Sequence, residues 1–285
     1  MSTSTPTPVS GPTAARVVAA EWTKLTSLRS SWWIAAVTAA VGGAITYLSA
    51  QASSVDPGFQ PVDSLSTGLV LAPVGLLVLG VLVGAGEFRT GAFRTTFTTV
   101  PRRAPVLVAQ TLVVAAFALG VGVLTTTASA LGILPAATSR GIAVDLTAGD
   151  GPALVLGMVL FFVGMALLGL ALGALLRRTV PALVTALFLV LILPVVLMIA
   201  TDPLVGGGDP ASMVASEAVP RTTVVGTLTV LTPGTAGTLM TTSPSSGGMD
   251  GAPDLGPVGG GLVLAAWILV LLVAAAVRLR TRDVR

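Results

Sequence analysis

The sequence contains no cysteine and no histidine. Disulfides, thiolate chemistry, zinc sites built from Cys or His, and imidazole acid–base catalysis are thereby excluded. Charge is nearly as scarce: 9% of the 285 residues are Asp, Glu, Lys or Arg, against roughly a quarter in an ordinary soluble domain. What fills the space is apolar, with 53% hydrophobic residues and a mean hydropathy of +0.94. This composition belongs to the integral membrane class.

Further absences narrow the function. No long apolar run carries an acidic or basic residue at its centre. Ion-coupled carriers and proton pumps place their working groups there, so this chemistry is disfavoured, and an intramembrane hydrolase equally so. HExxH and GxSxG motifs and paired carboxylates on one helix face are missing. Gly86 and Gly91 stand at the spacing of a phosphate-binding loop, but Ala92 and Phe93 replace the Lys and the Ser or Thr it requires. Without that Lys nothing clamps the β- and γ-phosphates. The chain is expected to be no enzyme and to hold no cofactor or metal.

Six apolar runs are present, near Trp32–Ala50, Leu65–Ala85, Pro105–Leu134, Pro152–Leu176, Val180–Ala200 and Val258–Val277. Each meets the ~17–25 residues needed to cross the hydrocarbon core. The third is longer than needed, so it is expected to tilt or to begin in the headgroup layer. The first ends in Ala50-Gln51-Ala52, which resembles a signal-peptidase site. A secretory h-region has only ~7–15 residues, so an uncleaved signal anchor is expected.

Residues 1–13 are rich in Ser, Thr and Pro and read as a disordered tail. Over residues 14–31 Val18, Trp22, Leu25 and, further on, Trp32 fall on one helical face, with Arg16 opposite and Glu21, Lys24 and Arg29 holding the segment near water. This predicts an amphipathic helix lying at the interface; the plainer reading is a basic flank to the first span.

Basic residues set the expected orientation. Thirteen of the 15 Lys and Arg lie in the N-terminal segment, in the connections after spans two and four, or in the basic tail 278–285; Arg140 and Arg221 are the exceptions. The other connections hold Asp56, Asp63, Asp145, Asp150, Asp202, Asp209, Glu217, Asp250 and Asp254. The positive-inside rule then puts both termini and residues 86–103 in the cytoplasm. The high pI is thus a topology signal, and nucleic acid need not be invoked. The longest outer connection, 201–257, contains a moderately apolar part, Val219–Met240, broken by Pro220, Arg221 and Pro233. A short outer helix or a re-entrant segment is expected there, since a seventh span would reverse the C-terminal arginines.

Gly80-x-x-x-Gly84 and Gly169-x-x-x-Gly173 would let helices approach closely, within the chain or in a dimer. Pro73 and Pro194 fall inside spans two and five and are expected to kink them. Thr125, Thr126 and Thr127 are expected to satisfy backbone carbonyls or to line a groove. In GEFRTGAFRTTFTTVPRR, Gly86–Arg103, Phe88, Phe93 and Phe97 form an apolar stripe with Arg89 and Arg94 off it, and Pro101 ends the pattern. Two readings stand: a helix lying on lipid with snorkelling arginines, or a lever seated in a soluble partner.

A resemblance bears on that choice. AEWTKLTSLRSSWW before the first span, GEFRTGAFRTTFTTVPRR after the second and ALGALLRRTVPAL between the fourth and fifth resemble the permease subunits of ABC transporters of the type-2 exporter class, most of all the actinobacterial kind. LTPGTAGTLM at Leu231–Met240 is similar to the outer segment before that class's last span. The resemblance covers about Ala14 to Asp283. It implies an all-α integral membrane protein with six transmembrane helices, both termini cytoplasmic, an N-terminal interface helix and a cytoplasmic coupling helix between spans two and three. It implies a plasma-membrane exporter with two copies of an ATP-binding subunit, a second permease copy or paralogue and membrane lipid as partners; a pathway lined by Leu, Val, Ala and Thr would suit an amphipathic or lipid-like substrate, or a peptide. Coupling would fall on Glu87, Phe88, Arg89, Gly91, Arg94 and Thr95, with Glu21 and Lys24 nearby, and Pro73 and Pro194 would lie along the pathway. The alternative is a membrane scaffold or immunity-type protein with no transport cycle.

Overall fold

The computed structural model describes residues 13–90, 104–201, 222–242 and 251–281, and every regular element among them is helical. Helix α1, Ala14–Ser27, ends at Leu28, which is extended, and α2 starts at once, Arg29–Ser53. A 3-10 segment, Pro61–Val70, leads into α3, Ala72–Thr90. Then come α4, Ala104–Ser139, and α5, Gly151–Leu176. Helix α6, Thr179–Leu187, passes through a π-helical turn, Phe188–Ile192, into α7, Leu193–Thr201. Two short helices follow, α8 at Val224–Val230 and α9 at Pro233–Leu239, before α10 at Gly256–Thr281. Six stretches are long and apolar enough to cross a membrane: Arg29–Ser53, Pro61–Gly86, Pro105–Ser139, Gly151–Leu176, Thr179–Ile199 and Gly256–Arg278. The chain is a multi-pass membrane protein by that length and composition.

Helix α5 is the most buried span, packed against α3, α4 and α10, with Met158, Phe162, Met165, Leu168 and Leu170 in the core. Its closest neighbour is α3, and glycine is the reason. A Cβ added at Gly80 or Gly84 would run into the backbone of Ala166, Leu170 and Ala174; one added at Gly169 or Gly173 would run into Leu77, Val81 and Ala85. The nearest atom is under 3.0 Å in every case. The two small-residue motifs therefore face each other inside the chain, and the close approach gains dispersion where lipid offers no hydrophobic drive.

Several expected boundaries shift. The helix expected at the interface stops at Ser27 rather than running through residue 31, because Leu28 turns the chain and Arg29 opens α2. Span two is a 3-10 segment joined to an α-helix rather than one kinked helix. Pro73 sits in the first turn of α3, where its missing N–H costs no helical bond. The third helix continues past Pro135 to Ser139, and Gly141 closes it at φ 66°, with the Ile142 N–H donating to the Ala137 carbonyl at 3.0 Å. Pro194 lies one residue beyond the π turn, which takes up the irregularity that Pro194 alone was expected to cause. Thr125 and Thr127 donate to the Val121 and Val123 carbonyls at 2.8 Å as expected, while the buried Thr126 hydroxyl has no hydrogen-bond partner.

The described residues of Val219–Met240 form the short pair α8–α9 packed against α7, α10 and the π turn. Gly234 lies against the Val190 backbone and Gly237 against the Phe161 ring, so LTPGTAGTLM is small where it must fit between helices. Its polar groups are met locally: Thr232 Oγ1 donates to the Thr229 carbonyl and Thr238 Oγ1 to the Thr235 carbonyl, both at 2.8 Å. The pair is tied to the last span by Trp267, whose Nε1–H donates to the Leu231 carbonyl at 2.9 Å. Trp267→Phe keeps most of the ring and removes that donor. The expected loss is about 1 kcal/mol of stability, seen as a lower thermal midpoint of the purified chain in detergent. An unchanged midpoint would show the bond to be dispensable.

Candidate functional site at the basic end of the bundle

Arg16, Lys24, Arg29, Arg177, Arg178 and Arg278 gather at one end of the helices. There the α5–α6 turn and the end of α10 are clasped: Arg177 Nη2 donates to the Arg278 carbonyl at 3.0 Å, and Arg278 Nη1 to the Leu175 carbonyl. At the opposite end Arg140 Nη2 donates to the Asp56 carbonyl at 3.2 Å. The Thr147 hydroxyl and backbone N–H, at 2.6 and 2.8 Å, hold the exposed Asp145 carboxyl below its usual range.

Helix α1 lies along the start of α4. Val18, Glu21 and Leu25 share the face it turns inward; Trp22, expected on that face, is 43% exposed. Glu21 is the departure from expectation. Rather than keeping the helix in water it is buried, 7% exposed. Lys24, one turn on, donates from Nζ to Glu21 Oε1 at 2.5 Å, and Gln110 Nε2 of α4 reaches Glu21 Oε2 at 3.5 Å. Burial of a carboxylate is tolerated only with such partners, because its desolvation must be offset by charge and hydrogen bonding. The α1–α2 elbow beside it is pinned by Trp32, whose Nε1–H donates to the Thr26 carbonyl at 2.9 Å and whose ring meets Phe117 edge-on at 5.8 Å.

Under this elbow lies a cavity of about 530 Å³. Leu25 and Leu28 wall it from the elbow, Leu82, Val83 and Gly86 from the end of α3, Val113 and Val114 from α4, and Thr179 from α6; among the described residues Glu21, Lys24 and Gln110 add charge and an amide. An ion pair at the edge of an apolar hollow can bind and orient a ligand. It supplies no nucleophile–base pair, and among the described residues no group of three acidic side chains could hold a metal ion.

The sequence-predicted residues divide. Glu21, Lys24 and the end of α3 at Gly86 meet around this one cavity. Glu87, Phe88, Arg89 and Thr90 form the last turn of α3, so the first part of Gly86–Arg103 continues span two rather than opening a separate helix. Gly91, Arg94 and Thr95 lie outside the described residues, as do most of the N-terminal tail, parts of 201–257 and residues 282–285. Pro73 and Pro194 do not line the cavity. Gln110 went unnoticed in the sequence, yet it is the lone amide in α4 and sits near the basic end of an apolar run, where a polar group needs a partner. Comparison with protein-family models and with curated proteins finds no match to the chain.

Proposed function

We propose that the chain is the membrane-spanning permease subunit of an ATP-driven exporter of the type-2 class, moving an amphipathic or lipid-like substrate outward. Two copies of a separate ATP-binding subunit supply the energy, and a second permease copy or paralogue completes the assembly in the plasma membrane. Both termini are cytoplasmic, as the basic residues require. The observation that carries the reading is the position of the GEFRT block. It forms the end of α3, the helix that glycines hold hardest against the central α5, and it opens beside the Glu21–Lys24 pair. A push on that end by a closing ATPase pair reaches α5 with little slack, shifting the population from inward- to outward-open.

The test is purification of the tagged full chain from its native membrane in mild detergent, with identification of the soluble chains that come with it. A Walker-type ATPase in a one-to-one ratio is expected. A purified chain that moves substrate across vesicles with no companion would overturn the proposal.

A further inference from the structure

We propose that a second cavity, at the end of the bundle opposite the basic cluster, binds a hard divalent cation between Asp56 and Asp63. The cavity has a volume of about 230 Å³ and lies where α2 ends and the 3-10 segment begins. Its lining falls wholly between Ser49 and Thr67, one unbroken stretch of described chain. Seven of the nine lining residues are polar, the other two being Gly58 and Phe59. The chain builds the rim from two successive turns, each with proline in second place. The Phe59 N–H donates to the Asp56 carbonyl at 3.2 Å across Pro57 and Gly58, and the Asp63 N–H to the Gln60 carbonyl at 3.1 Å across Pro61 and Val62. Arg140 meets the Asp56 carbonyl rather than its carboxylate. Among the described residues neither Asp56 nor Asp63 has an ion-pair or hydrogen-bond partner on its carboxylate.

Ser64 is an independent sign of a ligand. It lines the cavity and is 5% exposed, yet its hydroxyl has no hydrogen-bond partner among the described residues. Ser66, two places on, donates to the Asp63 carbonyl at 3.1 Å. A buried hydroxyl is ordinarily spent in that way, or on a ligand or water. The groups left over in this cavity are thus oxygen acceptors with two negative charges among them. An organic cation finds little apolar wall here beyond Phe59. A doubly charged ion that keeps part of its hydration shell matches both the charge and the polarity. The lack of Cys and His, which excludes zinc sites of that kind, leaves an oxygen-only site open. No third acidic side chain joins the two among the described residues, so water fills the remaining positions. Such a site is weak, with a dissociation constant on the order of 10⁻⁴–10⁻³ M, as in extracellular calcium modules. Calcium accepts an irregular donor set more readily than magnesium does. The bound ion joins the loop leaving α2 to the 3-10 segment and stabilises that end of the fold.

The experiment uses the full chain alone in maltoside micelles, stripped of metal with EDTA and without any ATPase, so its outcome is independent of the exporter reading. Calorimetric titration with calcium chloride and with magnesium chloride gives stoichiometry and affinity; thermal midpoints are compared with sodium chloride at equal ionic strength. One calcium per chain is expected, with a raised midpoint that sodium does not reproduce. Asp56→Asn and Asp63→Asn each weaken binding by about tenfold or more, the size of one lost charge-assisted contact. Ser64→Ala weakens it less and does not lower the metal-free midpoint, which a purely structural hydroxyl would. Asp145→Asn, an exposed carboxylate outside the cavity, leaves binding unchanged. Both cavity aspartates are exposed and Asn is isosteric with Asp; where one variant does not fold, the other decides. Tighter binding of magnesium than of calcium identifies magnesium as the occupant and supports the same chemistry. No saturable binding in the millimolar range, binding that survives Asp56→Asn and Asp63→Asn together, or equal binding of the organic dication putrescine overturns the proposal.

Discussion

Gly80→Leu and Gly169→Leu each eliminate the folded chain, whereas Gly120→Leu leaves it intact. At the first two positions the nearest obstacles to a side chain are backbone carbonyls of the facing helix, Ala166 and Leu77, which cannot rotate away. Either α3 and α5 separate, losing the contacts around Leu77, Val81, Leu170 and Ala174, or the helices distort. Overpacking by even one methyl costs about 1–3 kcal/mol, so Gly80→Ala and Gly169→Ala are expected to show that loss. Leu at either site is expected to leave no monodisperse protein. Gly120 is also helical, but it is exposed and nothing lies within 4 Å of a Cβ built there. The comparison therefore isolates close approach from helix propensity. Gel filtration and thermal midpoints in detergent are the readouts, and a Gly80→Leu chain with the wild-type profile would refute the packing described here.

The second large effect concerns coupling. On the exporter reading, replacing Glu87 and Arg94 together by Ala abolishes substrate-stimulated ATP hydrolysis while membrane insertion is unchanged. The two carry opposite charge within the block that would meet the ATPase. Removing one member of a desolvated charge pair at an interface costs about 2–5 kcal/mol, so losing both is enough to undo a conformational drive of a few kcal/mol. The ATPase then hydrolyses at the rate it shows without substrate. Insertion should survive because neither residue falls within the apolar core of a span. Stimulation that persists in the double variant would reject the lever role.

Much of the architecture could be read from apolar run length and charge alone, because a membrane leaves few alternatives to helices of about 20 residues. All six runs appear as helices, and the break expected at Pro233 separates α8 from α9. Local deviations could not be read in the same way. The π turn at Phe188–Ile192 has no residue signature, since Phe-Leu-Val-Leu-Ile suits an ordinary helix. The 3-10 segment before Pro73 is chosen by packing against α2, where Gly68 meets Thr46. The candidate site was half legible. Glu21 and Lys24 stood out by their charge, but a helical wheel sorts by polarity and so placed Glu21 on the wet side. The amide that meets its second oxygen is Gln110, 89 positions away.

Helix α3 has two unlike sides. Toward α5 it is seated by glycines on bare backbone. Toward α2 it and the 3-10 segment meet the hydroxyls of Thr38 and Thr46, buried opposite Gly75 and Gly68 and without a hydrogen-bond partner. Each such group forgoes about 1–3 kcal/mol that a partner would return. A cleft admitting water between α2 and α3 recovers that energy, whereas prising α3 from α5 recovers nothing. The bundle thus has a fault line, with α2 on one bank and the locked pair α3–α5 on the other.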